Sequence, residues 1–288
     1  MNKRILLIHN PISGGARNNF PEIFKEFESS YPNVNIISTT HVGHARELAK
    51  QYKDQYDIIG AVGGDGTINE IASVLVHSDT RLGIIPIGSA NGLAFHLGIP
   101  QDPKEALKLL NEGSAKSIDV ISAGNYVFVN VAGIGFDGHI NRLFNQTKQR
   151  GLWSYAKLIF TEYIKFKPFN FLLTLDGSKH SGKAFFIVLA NSTQYGHNFH
   201  VAPNALTDDG ILHIMLIKKP PFIMVPWLIR QIFKGNILKS RYCQELSGQK
   251  IQINVNSQAA HFDGETTPEL LTGELAIEVM PKALKVIY

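Results

Sequence analysis

The chain has 288 residues, 44% of them apolar and 18% charged, with a formal net charge of +4; this is the balance of a globular protein with room for one large or two medium domains. Its single cysteine, Cys243, excludes an intrachain disulfide and a thiolate zinc site, and it fits the reducing cytoplasm. The apolar run at residues 5–8 is too short for a signal peptide, and no stretch approaches the ~18 apolar residues of a membrane-spanning helix.

The first part of the chain alternates short apolar runs with helix-like patterns. Strands are expected at 4–9, 34–38, 57–62 and 82–87, and helices at 20–30, 44–52 and 68–76, where apolar residues recur every three or four positions. Alternating units of this kind imply a parallel sheet covered by helices on both faces. From Ile118 the period changes. "IDVISAGNYVFVNVAG" reads as two strands around a Gly-Asn turn, a helix follows at 154–166, and period-two strands come at 169–175, 183–190, 211–217 and 250–255. The expected fold class is therefore α/β plus β. An N-terminal α/β domain would span 1–122 with a mostly parallel sheet and nucleotide loops. An antiparallel β-rich, sandwich-like domain would span 123–279, with a last strand at about 280–288 returning to the first domain. "PPFIMVPWLIRQIFKGN" is too apolar for an exposed helix; it reads as core cover, with a membrane-facing lip as the other reading.

The charge is uneven. Residues 139–183 carry eight Lys or Arg against two acids, and residues 212–250 carry seven against one. No zinc finger or RNA-recognition signature accompanies them, so an anionic membrane surface is the partner they favour and nucleic acid is not. A plain solvated face is the bland alternative.

Parallel sheets take ligands in the loops beyond the carboxyl ends of their strands. "HNPISGG", "TTHVG", "GGDGT" and "PIGSANG" all leave that edge. In "GGDGT", Gly63, Gly64 and Gly66 let a ligand come close to the backbone, and the N–H groups opening the next helix favour an anion. Taken singly, each loop reads equally well as a tight turn. Neither a Walker loop nor a Rossmann G-x-G-x-x-G is present, so a nucleotide site here belongs to another class.

Six segments carry a resemblance: "NPISGG", "GGDGTINE", "IPIGSANGLA", "DVISAGNYVFVNVAGIGFDG", "APNALTDDGILHI" and "HFDGE" occur in the order found in the diacylglycerol kinase catalytic-domain family. From Asn10 to Glu265 the chain resembles its small bacterial members, which are similar in turn to sphingosine and ceramide kinases. The resemblance implies a cytoplasmic, peripherally membrane-associated lipid kinase. It would use ATP and Mg²⁺ to phosphorylate the hydroxyl of diacylglycerol or a related glycerolipid in the cleft between the domains. Gly63, Gly64, Asp65, Gly66, Thr67, Ile68, Asn69 and Glu70 would cradle the phosphates, with Asn10, Ser13, Thr39, Ser89 and Asn91 completing the pocket. Asp263 would be the catalytic base, since transfer to an alcohol needs a proton acceptor beside the hydroxyl. Glu265 would hold magnesium or orient that base, Asp65 would face the metal-bound phosphates, and Asp119 would belong to the same network. "ALTDDGILHI" would hold a structural magnesium through the Leu206 and Ile211 carbonyls and the Asp209 carboxylate. Read without the family, "FDGE" is a hairpin turn and Asp65 a helix cap.

One position departs from the pattern. Many bacterial members read G-T-x-N-D-[FL]-A, and "GSANGLA" puts Gly92 where they have an aspartate. Sphingosine kinases also lack an acid there, and Asp137 of "GIGFD" would suit a sphingoid amine. A sphingoid-base or ceramide kinase is the alternative expectation, ahead of an NAD-kinase-like enzyme with a soluble acceptor. A homodimer is compatible with each.

Overall fold

A computed structural model of the protein describes residues 3–14, 19–28, 32–146 and 152–288. Gly15 of the first loop and residues 29–30, the expected end of the first helix, lie outside these. The N-terminal half runs β1 (Ile5–His9), α1 (Phe20–Glu28), β2 (Val34–Ser38), α2 (His44–Tyr52), β3 (Ile58–Gly63), α3 (Asp65–Leu75), β4 (Arg81–Pro86), α4 (Gly92–His96) and α5 (Pro103–Glu112). β1 and β3 are buried along their whole length, as continuous apolar strands of a parallel sheet are. Their parallel order is β2-β1-β3-β4. The connections reverse direction between β1 and β3, so the loops after these two strands part around a crevice at the carboxyl edge.

The chain continues through β5 (Ala115–Ala123), β6 (Tyr126–Phe128), β7 (Val131–Gly135), α6 (Phe136–Gln146), α7 (Leu152–Lys165), β8 (Phe169–Leu175), β9 (Ser178–Ala184), β10 (Phe186–Ala190), β11 (Leu212–Ile217), α8 (Val225–Phe233), β12 (Cys243–Gly248), β13 (Lys250–Gln258), β14 (Ala260–Phe262), β15 (Glu265–Thr266) and β16 (Leu271–Ile287). β12-β11-β10-β7-β14-β15 form an antiparallel sheet. It packs on β5, β8, β13 and β16 through a core that includes Ile121, Phe128, Ile134, Leu173, Ile214, Ile253 and Phe262. The result is a β-sandwich.

The two halves share one sheet. β16 pairs with β13 and β5 and then meets β4 in parallel at Val286↔Leu82, so the strand expected at 280–288 does reach the first sheet. The boundary expected at residue 122 falls inside β5. The strand expected at 183–190 is two strands in different sheets. The chain turns the corner at Phe185, whose ring is buried among Phe136, Tyr163 and Phe166. α8 covers the outer face of the second sheet with Leu228 and Ile232, beside Met215 and Ile217. No helix among the described residues is long and apolar enough to cross a membrane.

Candidate active site

β3 delivers Gly63 and Gly64 to the start of α3, and the glycines there answer to close packing. A Cβ on Gly63 would collide with Thr67, one on Gly88 with the Gly64 backbone, and one on Gly66 with the Glu265 carboxylate. The first collision keeps the α3 entry tight, and the second lets the β3 and β4 loops touch. The third shows Glu265, from the second half, lying against the N-terminus of α3. Between them is a cavity of about 280 Å³ lined by Asn10, Ser13, Thr39, Gly64, Gly66, Thr67, Glu70 and Glu265. Asn10 holds its wall: its side-chain amide donates to Thr67 Oγ1 at 3.1 Å, and its Oδ1 accepts from Ile12 N at 3.1 Å. Two aliphatic side chains stand in water at the rim, Ile12 at 84% exposure and Val42 at 90%. The cavity thus combines a helix N-terminus, which attracts an anion, with an apolar lip.

Several expected phosphate contacts are committed elsewhere. The Asp65 carboxylate accepts from Asn91 N at 2.9 Å and Gly92 N at 2.8 Å, so it caps α4 and ties the β4 loop to α3. Burial, with the Asp263 carboxylate nearby, pushes its pKa up to about 7. Glu70 caps α2 by accepting from Gly43 N at 3.0 Å and Arg46 N at 3.3 Å. Ile68 is core. Asn69 gives its amide to Val127 O at 2.7 Å and Asp263 Oδ2 at 2.9 Å. Ser89 is exposed, and Asn91 lines a separate cavity of about 610 Å³ with Phe95, Lys104 and His197.

Asp263 and Gly264, with φ of 49° and 83°, form the two-residue turn of the β14–β15 hairpin. The Asp263 side chain points inward and is 3% exposed. Its Oδ2 accepts from Asn69 Nδ2 and, at 2.8 Å, from Val129 N; its Oδ1 accepts from Asn130 N at 2.9 Å and Val131 N at 3.0 Å. Burial raises its pKa, and these four donors pull it back. A carboxylate with four N–H donors has no lone pair directed at a substrate. Glu265, two residues on, faces the cavity. Although the residue is exposed on one side, partial desolvation and then Glu70 raise its pKa, while Arg46 opposes the shift.

Behind the turn, His261 Nδ1 accepts from Gly264 N at 3.3 Å, which leaves Nε2–H to donate to Asp137 Oδ2 at 2.9 Å. The Tyr195 hydroxyl donates to the same oxygen. Burial alone would raise Asp137, but His261 and Tyr195 outweigh it and the pKa is lowered. The carboxylate expected to meet a substrate amine is hydrogen-bonded by His261 and Tyr195. Through its carboxylate, Asp119 accepts from Gly210 N at 2.6 Å and Lys282 N at 2.7 Å, holding the 207–210 loop. It touches the Asp263 surroundings only through its backbone carbonyl, via Asn191 Nδ2, which also donates to Val129 O. Burial, and after it Asp209 and Asp208, raise its pKa. No group of three or more His, Cys, Asp or Glu side chains converges among the described residues, so a cation at this loop has to draw on backbone carbonyls. At this loop the Asp209 carboxylate accepts from Ile211 N at 3.0 Å.

Residues 4–123 match the model of the diacylglycerol kinase catalytic domain, and residues 130–288 match that of the YegS C-terminal NAD kinase beta sandwich-like domain. The chain belongs to the diacylglycerol kinase family. It is 26% identical over 277 residues to the diacylglycerol kinase of Bacillus subtilis (strain 168), covering 91% of this chain and 90% of that one. A crystal structure of a diacylglycerol kinase from Bacillus anthracis str. Sterne superposes with a TM-score of 0.74 at 24% identity, over 99% of this chain and 97% of that chain. Yeast NADH kinase complexed with NADH shares the fold more distantly, with a TM-score of 0.57 at 14% identity over 99% of this chain and 83% of that one. The family's kinase activity implies use of ATP.

Within the diacylglycerol kinase frame, Gly92 has a local explanation. A Cβ there would collide with Asn130 Nδ2 and lie 2.8 Å from the Tyr195 carbonyl oxygen. The Asn130 amide fills the space a side chain would need, and its Oδ1 is held by the Ser192 hydroxyl. Gly92→Asp is therefore expected to destabilise the fold by about 2 kcal/mol through overpacking, read as a lowered Tm, with no gain in activity. Asn130, Asn191, Tyr195, His261 and Arg46 were not singled out in the sequence. The first two left a signal, a polar residue directly after a buried apolar run.

Proposed function

We propose that the chain transfers the γ-phosphoryl group of ATP to the primary hydroxyl of a diacylglycerol-type lipid drawn from an anionic membrane surface. The observation that carries this reading is Glu265: a carboxylate from the second half, held against the N-terminus of α3 in the cavity that also gathers Asn10, Ser13, Thr39 and Thr67. The phosphates sit at that helix terminus, and Ile12 and Val42 give the base an apolar surface. Glu265 accepts the hydroxyl proton as the lipid oxygen bonds to the γ-phosphorus and the bond to the β-phosphate oxygen breaks, releasing ADP. Its raised pKa suits that task. Asp263 is a positioning residue that fixes the turn on which Glu265 rides, and His261 and Asp137 brace the turn from behind. Magnesium bound with the nucleotide would supply charge neutralisation to the phosphates. A second ion at Leu206, Asp209 and Ile211 would fix the loop that Asp119 holds.

Asp137 is engaged by Tyr195 and His261, which favours a neutral glycerolipid over a sphingoid amine. Transfer of labelled phosphate from ATP–Mg²⁺ to diacylglycerol, monoacylglycerol, phosphatidylglycerol, sphingosine and ceramide in mixed micelles, and to NAD in solution, tests the reading. Labelled diacylglycerol supports it. Label confined to sphingosine, ceramide or NAD overturns it. Arg46, in the first turn of α2 and close enough to act on Glu265, is the cation available to the γ-phosphate. Arg46→Ala is expected to raise KM for ATP about tenfold, the loss of one charge-assisted hydrogen bond, with partial rescue by Arg46→Lys in steady-state kinetics.

A further inference from the structure

The second half carries an apolar surface that its own fold leaves uncovered. Ile223 is 84% exposed, and Phe222, Phe160, Ile164 and Trp227 are also exposed. They form one surface: Phe160 on α7 meets Phe222 edge-on at 5.2 Å, and Phe222 lies 5.7 Å from the Tyr163 ring. The segment is pinned from inside, since Tyr163 donates its hydroxyl to Pro220 O and Lys219 donates to Phe166 O at 2.7 Å. The knob at Phe222–Ile223 is thus a fixed projection. Buried side chains of α8, Leu228 and Ile232, already satisfy the core, and among the described residues the outward apolar groups stay exposed.

Cations flank this surface on both helices. Lys157 shares a face of α7 with Phe160 and Ile164 at helical spacing, and Arg230 shares one of α8 with Trp227, with Lys234 directly after the helix end. Lys167 and Lys218 follow and precede the two segments and are exposed. An aromatic and aliphatic tip ringed by cations suits the interface of an anionic bilayer, where apolar groups enter the acyl boundary and each cation near the surface attracts lipid headgroups. The surface also stands behind the active site. α6, whose Asp137 is held by His261 behind the hairpin turn, packs its Phe136 and Ile140 on Tyr163 of α7 and on Val225 at the start of α8. We infer that the surface formed by α7 and the Phe222–Trp227 segment docks this protein on an anionic phospholipid bilayer. The inference rests on the reading that the acceptor is a membrane lipid.

Sedimentation of the full chain with vesicles tests it. Wild type is expected to bind phosphatidylglycerol-containing vesicles, weakly bind pure phosphatidylcholine, and release in high salt. Ile223→Asp and the pair Lys157→Gln with Arg230→Gln are each expected to cut binding tenfold or more, while Leu172→Ser, at an exposed apolar position on β8, leaves it unchanged. Unaltered binding by both altered proteins overturns the inference. So does a concentration-dependent dimer in wild type that Ile223→Asp dissolves while vesicle binding persists. A water-soluble short-chain diacylglycerol separates this from the kinase reading. Ile223→Asp that keeps turnover of the soluble acceptor but loses turnover in vesicles supports docking. Vesicle binding lost by the same variant with no acceptor phosphorylated by wild type supports docking and removes the kinase reading.

Discussion

Glu265→Gln is expected to lower kcat for lipid phosphorylation about 10³-fold, the usual worth of a general base, with KM for ATP and the Tm little changed. Glutamine keeps the shape of the side chain against Gly66, where Glu265 packs, but it cannot take the hydroxyl proton. The pH profile adds a second readout. Partial desolvation at the cavity wall raises the Glu265 pKa above the ordinary glutamate value, and a base works only when deprotonated. Activity of the wild type is therefore lost as pH falls through that raised value, an acid limb above the ordinary glutamate range, and the limb disappears in Glu265→Gln. Asp65 titrates near 7, yet its carboxylate faces the Asn91 and Gly92 amides, so Asp65→Asn should retain the limb. Full activity in Glu265→Gln would remove it as the base.

The parallel sheet was legible because β1 and β3 are buried on both faces, and burial on both faces leaves an uninterrupted apolar run. β16 was not. Its sequence, "LTGELAIEVMPKALKVI", holds a proline, which ordinarily argues against an interior strand. The ladder tolerates it because the register shifts between Met280 and Leu284, with Lys282 at a φ of 52°. The site divides in the same way. Residues 63–67 show themselves through glycine spacing, since close packing at a strand-to-helix turn demands it. Which way each carboxylate of "FDGE" leaves the hairpin was not visible in the sequence. Asp263 turns inward to amides at 129–131, more than a hundred residues away in the chain, and Glu265 turns outward into the cavity. The Tyr195–Asp137–His261 brace joins three distant segments, and no local pattern marks such a grouping.

Asp263→Asn separates a base from a positioning group. In the native protein both carboxylate oxygens accept, and all four partners are N–H groups. An asparagine must place its own NH₂ against two of them, leaving two buried donors without acceptors at a site that is 3% exposed. Each such group costs about 1–3 kcal/mol, so the variant is expected to lose about 3 kcal/mol of stability, seen as a marked fall in Tm. Asn69, which links α3 to the hairpin through this carboxylate, would lose its anchor, and Glu265 would lose the fixed turn from which it reaches the cavity. Activity should therefore fall together with stability, and Asn69→Ala should reproduce a smaller part of both losses. A base would behave otherwise, because proton acceptance contributes nothing to folding. An Asp263→Asn protein with the wild-type Tm and a 10³-fold lower kcat would return the base to Asp263 and leave Glu265 as the group that orients it.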